Sequence, residues 1–241
     1  LIKTENNGIS AAHNLAFKKP DGDYICYLGT DAFPTPESVK NMFGFMEISK
    51  ESGIVTPRLI LRDGSIDMDA HRGFPTPWAA LTHFLYLDRL FPKSKLFNKY
   101  FMGWEDYYQV HPIQACISHF MFTRKEIYAN GLRWDEDYFV FGEDIDFCFR
   151  VQEEGYKVIY LGNIEVLHYK GAGIGRKSSK DIKNASSLSK ETKLKMARAS
   201  TQPMRLFYSK HLSKRYSRAI TLPVMTMGAL SHKKLPQRAE R

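Results

Sequence analysis

Cysteine is scarce in this chain. Cys26, Cys116 and Cys148 are odd in number, widely spaced and set among apolar neighbours. That pattern excludes a disulfide framework or a zinc knuckle and fits a reduced, cytosolic setting. Long hydrophobic runs are missing too: no apolar stretch reaches the roughly 18 residues that cross a bilayer as a helix. No internal repeat is visible, which sets aside solenoid architectures. Acidic residues thin out towards the end of the chain. From Lys170 onward there are 18 Lys and Arg against 3 Asp and Glu, a net of +15, whereas the preceding residues hold 17 against 23, a net of −6, within an overall +9.

What is present is enough for a packed core: 241 residues, 43% of them hydrophobic and 13% aromatic, a composition that argues against disorder. The expected division is a main body over 1–175 and a basic helical tail over 176–241. The tail asks for an anionic partner, nucleic acid or a membrane surface, unless its charges simply solvate a helical face. Leu1-Ile2-Lys3 reads as the end of a strand, so a chain truncated at its N-terminus is expected.

Local patterns predict an alternation of helix and strand. Ser10 is placed to cap a short helix through Ala11, Ala12, Leu15 and Ala16, closed by the turn Pro20-Asp21-Gly22. Asp23–Leu28 is a short, largely apolar strand, expected to be central, and Asp31 follows its C-terminal end, where open α/β sheets keep their ligands. Thr35-Pro36 starts a helix carrying Val39, Met42, Phe43 and Met46 on one face. "GIVTPRLIL" is a second strand, closed by Asp63-Gly64-Ser65. Residues 71–112 mix proline, aromatics and helical spacing at Trp78, Leu81 and Leu85, a pattern that suits packed core, an acceptor site or a membrane contact. "CISHFMFTRKEIY" runs from strand to helix, "DIDFCFRVQEEG" is a helix ended by Gly155, and "KVIYLG" and "IEVLHYKG" are strands joined by a turn at Gly162-Asn163. The order predicts an α/β sheet.

The stretch "YFVFGEDIDFCFR", residues 138–150, sets Glu143, Asp144 and Asp146 among aromatics. On a helix, Asp144 faces with Phe147, Cys148 and Val151, while Asp146 turns away to pair with Arg150 at i+4. Acidic residues at a helix start are favoured by the macrodipole, which is the structural explanation of Glu143 and Asp144. A catalytic explanation draws on Asp31 after its strand and His168 inside a late apolar strand. One carboxylate and one imidazole with open positions suit Mn²⁺ or Mg²⁺ better than structural zinc.

Several motifs in order then resemble the family 2 glycosyltransferases, in particular their rhamnosyltransferase-like branch. They are Asn6, Gly8 and Asn14 in N-x-G-x(5)-N, "YLGTDAFPTPESV", "FMFTRKEIY", "WDEDYFVFGEDIDFCFRVQEEGYKVIYLGNIEVLHYKGAG" and "MRLFYSKH". The resemblance implies a GT-A fold: a mostly parallel sheet for nucleotide-diphospho-sugar transfer, flanked by helices. Its catalytic domain would span 1–175 and be incomplete at the N-terminus, because the family's nucleobase-binding strands precede the N-x-G segment.

The implied activity is inverting, metal-dependent transfer of a sugar from a nucleotide-diphosphate donor to a glycan or lipid-linked saccharide acceptor. The setting would be cell-envelope polysaccharide synthesis, in the cytoplasm at the inner face of the membrane. Carried over by position, Asp144 is the base, and Asp31 and His168 hold Mn²⁺ or Mg²⁺. Asn6, Gly8, Asn14, Gly29 and Thr30 lie on the donor side, and Glu143, Trp134 and Ser118 on the acceptor side. Two positions depart from the family pattern: Gly29 stands where Asn or Asp is common, and Ser118-His119 where Gly is common.

Two other classes fit parts of the sequence. A glycoside hydrolase needs carboxylates about 5 to 9.5 Å apart across a sugar ring, which adjacent Glu143 and Asp144 cannot provide without Asp31 as the distant partner. A basic-tailed membrane or nucleic-acid binding module without catalysis would use the tail alone, although no nucleic-acid motif accompanies it and no nucleic-acid partner is expected.

Overall fold

A computed structural model describes residues 5–17, 21–129, 131–170, 202–217, 219–223 and 225–226. Its strands are β1 (Tyr24–Leu28), β2 (Ala32–Phe33), β3 (Ser52–Ile60), β4 (Val110–Ile113), β5 (Phe120–Arg124) and β6 (Lys157–His168). They form one sheet in the order β1-β5-β3-β6-β2, with β4 also paired to β6. The helices are α1 (Ile9–Phe17), α2 (Pro36–Ile48), α3 (Pro77–Phe84), α4 (Leu87–Leu90), α5 (Glu126–Ala129), α6 (Glu143–Glu153) and α7 (Pro203–Phe207), the last running into a π-helical turn, Tyr208–Leu212. This is the expected α/β sheet flanked by helices.

The expectation of a mostly parallel sheet is corrected. Only β3 and β6 run parallel; β1–β5, β3–β5, β2–β6 and β4–β6 are antiparallel. Parallel neighbours follow from helix–strand alternation when successive strands pair through a crossover. Here the partners of β3 are β5 and β6, not the next strand in the chain, and the long segment between β3 and β4 lets the chain re-enter from either end. For the same reason β1, expected to be central, stands at the end of the described strand order.

Strand β6 is one continuous element where two strands and a turn were expected. Its register on β3 passes from Pro57↔Leu161 to Arg58↔Glu165, so Gly162, Asn163 and Ile164 are accommodated as an irregularity within the strand. Pro57, which has no N–H to donate, sits at that shift. Gly162 is required there because a Cβ would meet the Gln109 carbonyl oxygen at 2.4 Å.

The helix ends follow local chemistry. The Thr35 side chain accepts from Ser38 N at the start of α2. Gly155, at φ +88°, follows α6 as expected. Ser10 is not a cap: it lies inside α1 and is fully buried. The chain enters α1 through Gly8, whose φ of +96° and whose contact with the Phe139 backbone leave no room for a Cβ. Buried Arg124 donates to the Met46, Ser49 and Ser52 carbonyls and so supplies the cation that the C-terminus of α2 lacks in its own sequence.

The core lies on the sheet beneath α2 and α6, with Met42, Met46, Ile54, Phe120, Phe147 and Tyr160 fully buried. Phe207, Tyr208 and Leu212 join it, so the described part of the predicted basic tail packs one face on the core while Arg205, Lys210, Lys214 and Arg215 stay exposed. Phe207 lies 5.5 Å from the Phe149 ring. Residues 176–201 and 227–241 of that tail are outside the described residues. All three cysteines are free, with Cys116 and Cys148 buried. Among the described residues no helix is long and apolar enough to cross a membrane.

Because Phe207 is 2% exposed inside that cluster, Phe207→Ala is expected to cost about 3 to 5 kcal/mol. Urea unfolding checks it; a change under about 1 kcal/mol would show that the segment only rests on the surface.

Candidate active site

Backbone pairing assembles the first group. β2 pairs with the end of β6, Ala32 opposite His168, and Tyr169 N donates to the Asp31 carbonyl at 2.7 Å. Asp31 is thereby fixed beside His168, as the sequence predicted. Its Oδ1 lies 3.5 Å from His168 Nε2 and 4.0 Å from His119 Nε2. One carboxylate oxygen and two imidazole nitrogens fall within 4.8 Å of one another.

The tautomer of His168 is set from behind. Its Nδ1 donates to Asp67 Oδ2 at 2.8 Å, and Asp67 Oδ1 accepts from Lys170 Nζ at 2.6 Å. Burial alone would raise Asp67, but the His168 hydrogen bond and the Lys170 ammonium hold it down at about 2. With Nδ1 as donor, the lone pair of Nε2 points at Asp31. That buried nitrogen has no hydrogen-bond partner. A carboxylate behind a histidine whose other nitrogen is free is the arrangement by which proteins orient metal-binding imidazoles. Burial lowers the pKa of His119, against the pull of the Asp31 carboxylate, which favours the neutral ring that a metal requires. The residues present therefore fit a divalent metal ion.

His119 was not singled out as a ligand from sequence; there it marked only a departure from the family pattern. The structure joins it to the other departure. A Cβ on Gly29 would meet the His119 ring at 2.8 Å and Asp31 Oδ1 at 3.0 Å, and Gly29 N donates to the His119 carbonyl at 2.7 Å. The glycine makes room for the imidazole.

The second group starts α6. Gly142 at φ +81° follows Phe141 at φ +67°, a sharp turn that presents Glu143 and Asp144 in the first helical turn with their side chains buried. Consecutive left-handed residues, one of them not glycine, are strained and held by their surroundings. Asp144 Oδ2 accepts from Arg72 Nη2 at 2.6 Å, and its Oδ1 from Ile145 N at 2.8 Å. Glu143 Oε1 lies 3.5 Å from Ser118 Oγ, and Oε2 has no partner. Burial, with the Asp144 charge added to it, pushes the Glu143 carboxyl up to about 8. Asp146 does pair with Arg150, at 2.6 Å, and also with His211, but it is wholly buried. Ser118-His119 links the two groups, and the Asp31, Asp144 and Asp67 charges all act on His119.

With this geometry in hand, the comparisons identify the family. The family model described as Glycosyl transferase family 2 matches residues 1–131. The chain belongs to glycosyl transferase family 2. The matched span includes Asp31 and His119, while Glu143, Asp144 and His168 lie beyond it. A curated relative, the rhamnosyltransferase WbbL of Escherichia coli (strain K12), is 24% identical over 169 residues, 68% of this chain and 59% of that protein. The chain thus spans less than two thirds of that relative's length. Among solved structures, a mannosyltransferase, PcManGT of Pyrobaculum calidifontis with GDP-Man and Mn²⁺, is similar at TM-score 0.46 and 13% identity, over 94% of this chain and 50% of that one. TarS 1–349 of S. aureus is similar at TM-score 0.45 and 13% identity, over 96% and 61%.

In this family 2 member several expected site residues have other occupations. Asn14 donates to the Trp134 carbonyl at 2.8 Å and accepts from Trp134 N at 2.9 Å; it clamps the 131–142 loop rather than reaching for a donor. Trp134, expected on the acceptor side, is 2% exposed and stacks on Phe147 at 4.2 Å; it is a core residue. Asn6 and Thr30 are exposed, and Asn6 Oδ1 accepts from Gly8 N at 3.4 Å. Ser118 is buried beside Glu143. Of the aromatics around Glu143, Tyr138 is buried, whereas Phe141 is 40% exposed. Arg72 was missed: its only sequence signal is a cation in an otherwise aromatic stretch, and its partner lies 72 residues away.

Removing one member of the buried Arg72–Asp144 pair strands the other. Arg72→Met is expected to cost about 3 to 5 kcal/mol, most of it recovered in Arg72→Met with Asp144→Leu; chemical denaturation of the four proteins measures the cycle. The raised Glu143 pKa also has a signature. Between its unfolded value near 4.5 and about 8 the folded state holds a proton that the unfolded state has released, so stability falls as pH rises through that window. Glu143→Gln cannot ionise and is expected to gain on the parent across that interval, by on the order of a few kcal/mol at most. Thermal melts at pH 5 and 8 test the sign.

Proposed function

We propose that the chain carries the catalytic site of a GT-A type, metal-dependent, inverting glycosyltransferase that moves a sugar from a nucleotide-diphosphate donor to a saccharide hydroxyl. The observation that carries this reading is the convergence of Asp31, His119 and His168, with the free Nε2 of His168 aimed at Asp31, beside the buried Glu143–Asp144 pair. His119 takes up the ligand position that Gly29 leaves open. When bound, a divalent metal supplies charge neutralisation to the departing diphosphate. Two imidazoles and one carboxylate favour Mn²⁺ over Mg²⁺.

The chain's own groups supply the rest. Asp144 accepts the acceptor hydroxyl proton as that oxygen forms its bond to the anomeric carbon and the bond to the diphosphate oxygen breaks, with inversion. Arg72 fixes the direction of the Asp144 carboxylate. Glu143, protonated near neutral pH, presents an O–H rather than a second negative charge. Apolar walls from Tyr138 and Phe139 limit water. The acceptor proposed is a lipid-linked saccharide of the cell envelope, reached from the cytoplasmic face of the membrane. A 6-deoxyhexose donor is the first to try, since the curated relative is named a rhamnosyltransferase.

The experiment is turnover of a panel of nucleotide sugars with Mn²⁺, Mg²⁺ or chelator, together with direct Mn²⁺ binding followed by electron paramagnetic resonance. Asp144→Asn is expected to lower kcat by about 10² to 10⁴ while leaving Mn²⁺ binding intact. His119→Ala and His168→Ala are expected to weaken Mn²⁺ binding at least tenfold, and Asp67→Asn, which loosens the His168 ring it orients, by about 10- to 100-fold. Unchanged Mn²⁺ affinity in both histidine variants would remove the metal reading, and full turnover in Asp144→Asn would remove Asp144 as the base.

A further inference from the structure

Between β3 and β4 the chain builds a surface that the transfer chemistry does not use. Trp78, Leu85, Tyr86, Leu90, Phe91 and Leu96 are each 41% to 69% exposed within nineteen residues. They are neighbours in space. The Trp78 and Phe91 rings both stand against Phe97, at 6.4 and 5.1 Å, Trp78 Nε1 donates to the Leu96 carbonyl, and Leu90 N donates to the Tyr86 carbonyl. An exposed apolar patch of this density on a folded chain marks a contact surface.

The charges around it indicate what it contacts. Arg89, Lys93, Lys95 and Lys99 are exposed, and none makes a salt bridge among the described residues. The one acid from Pro77 to Tyr100, Asp88, is 4% exposed and bonded to His83. Outward, the segment is therefore purely cationic. Aromatic and aliphatic side chains interleaved with unpaired Lys and Arg on short helices are the make-up of a segment lying in the headgroup layer of an anionic membrane.

We infer that the exposed face of residues 78–99 docks on an anionic phospholipid bilayer, its apolar side chains entering the acyl boundary and its lysines meeting lipid phosphates. The docked segment is closed on itself by Gly73 N donating to the Tyr100 carbonyl at 2.7 Å, next to Arg72, the partner of Asp144. The inference stands apart from sugar transfer, since it concerns lipid binding by the chain without donor or metal.

The test is flotation of the full chain with vesicles of phosphatidylcholine alone or with phosphatidylglycerol. Binding is expected only with the anionic lipid. Lys93→Gln with Lys95→Gln and Lys99→Gln should weaken it by on the order of tenfold to a hundredfold, and Leu90→Ser with Phe91→Ser by about tenfold. These side chains are exposed, so the variants should melt with the parent. A measurement on the unaltered chain does not depend on them: Trp78 is 41% exposed, Trp104 is partly buried and Trp134 is buried, so brominated lipid should quench the Trp78 fluorescence, and Trp78→Phe should remove the quenched component. No flotation, or flotation without quenching that both variants retain, would overturn the inference and assign any binding to residues beyond 170. A dimer in sedimentation velocity that Leu90→Ser with Phe91→Ser dissolves, without vesicle binding, would also overturn it and make the patch a self-association surface.

Discussion

The register of β6 is the constraint on which the rest of this structure depends. That strand pairs with β3 on one side and with β4 and β2 on the other, and the pairing of Ala32 with His168 sets Asp31 beside an imidazole 137 positions away in sequence. A slip of one residue would turn His168 to the opposite face of the sheet and dissolve the group. The irregularity at 162–164 belongs to the same constraint, because it absorbs three residues between the part of β6 that packs under α6 and the part that carries His168.

Buried charge is the second organising fact. The interior side of the site holds Asp67, Asp144 and Asp146, and each is met by a cation or by a histidine within hydrogen-bond distance. Glu143 has no such partner, and it is the carboxyl whose pKa burial raises. In low dielectric an unmatched acid stays protonated, and a matched one persists as an anion. Of the adjacent pair Glu143–Asp144, only Asp144 accepts from Arg72, which leaves Glu143 as the carboxyl that burial raises.

Much of the local structure was legible from residues in sequence order. The cap at Thr35, the stop at Gly155 and the Asp146–Arg150 pair follow from spacing alone, because each involves groups at most four positions apart. Asp31 and His168 were readable as candidates because an acid after a strand and a histidine inside one are rare enough to notice. His119 was not, since its significance lies in the empty space over Gly29. Asn14 and Trp134 were readable only by type, and the structure shows what they hold: Asn14 bonds the Trp134 backbone and Trp134 stacks on Phe147.

The sequence by itself determined α1, α2, α6 and the strands β1, β3 and β5, the family resemblance, the acidic start of α6 and the contrast between an acidic body and a basic end. These depend on periodicity, capping and composition, which act over a few residues. Only the tertiary structure decided strand direction, the place of β1 at the end of the described strand order, the second imidazole beside Asp31, the Arg72 clamp on Asp144 and the clustering of apolar and basic side chains over 78–99. Those depend on which distant segments share a boundary, and that is settled by burial and hydrogen-bond satisfaction across the whole chain.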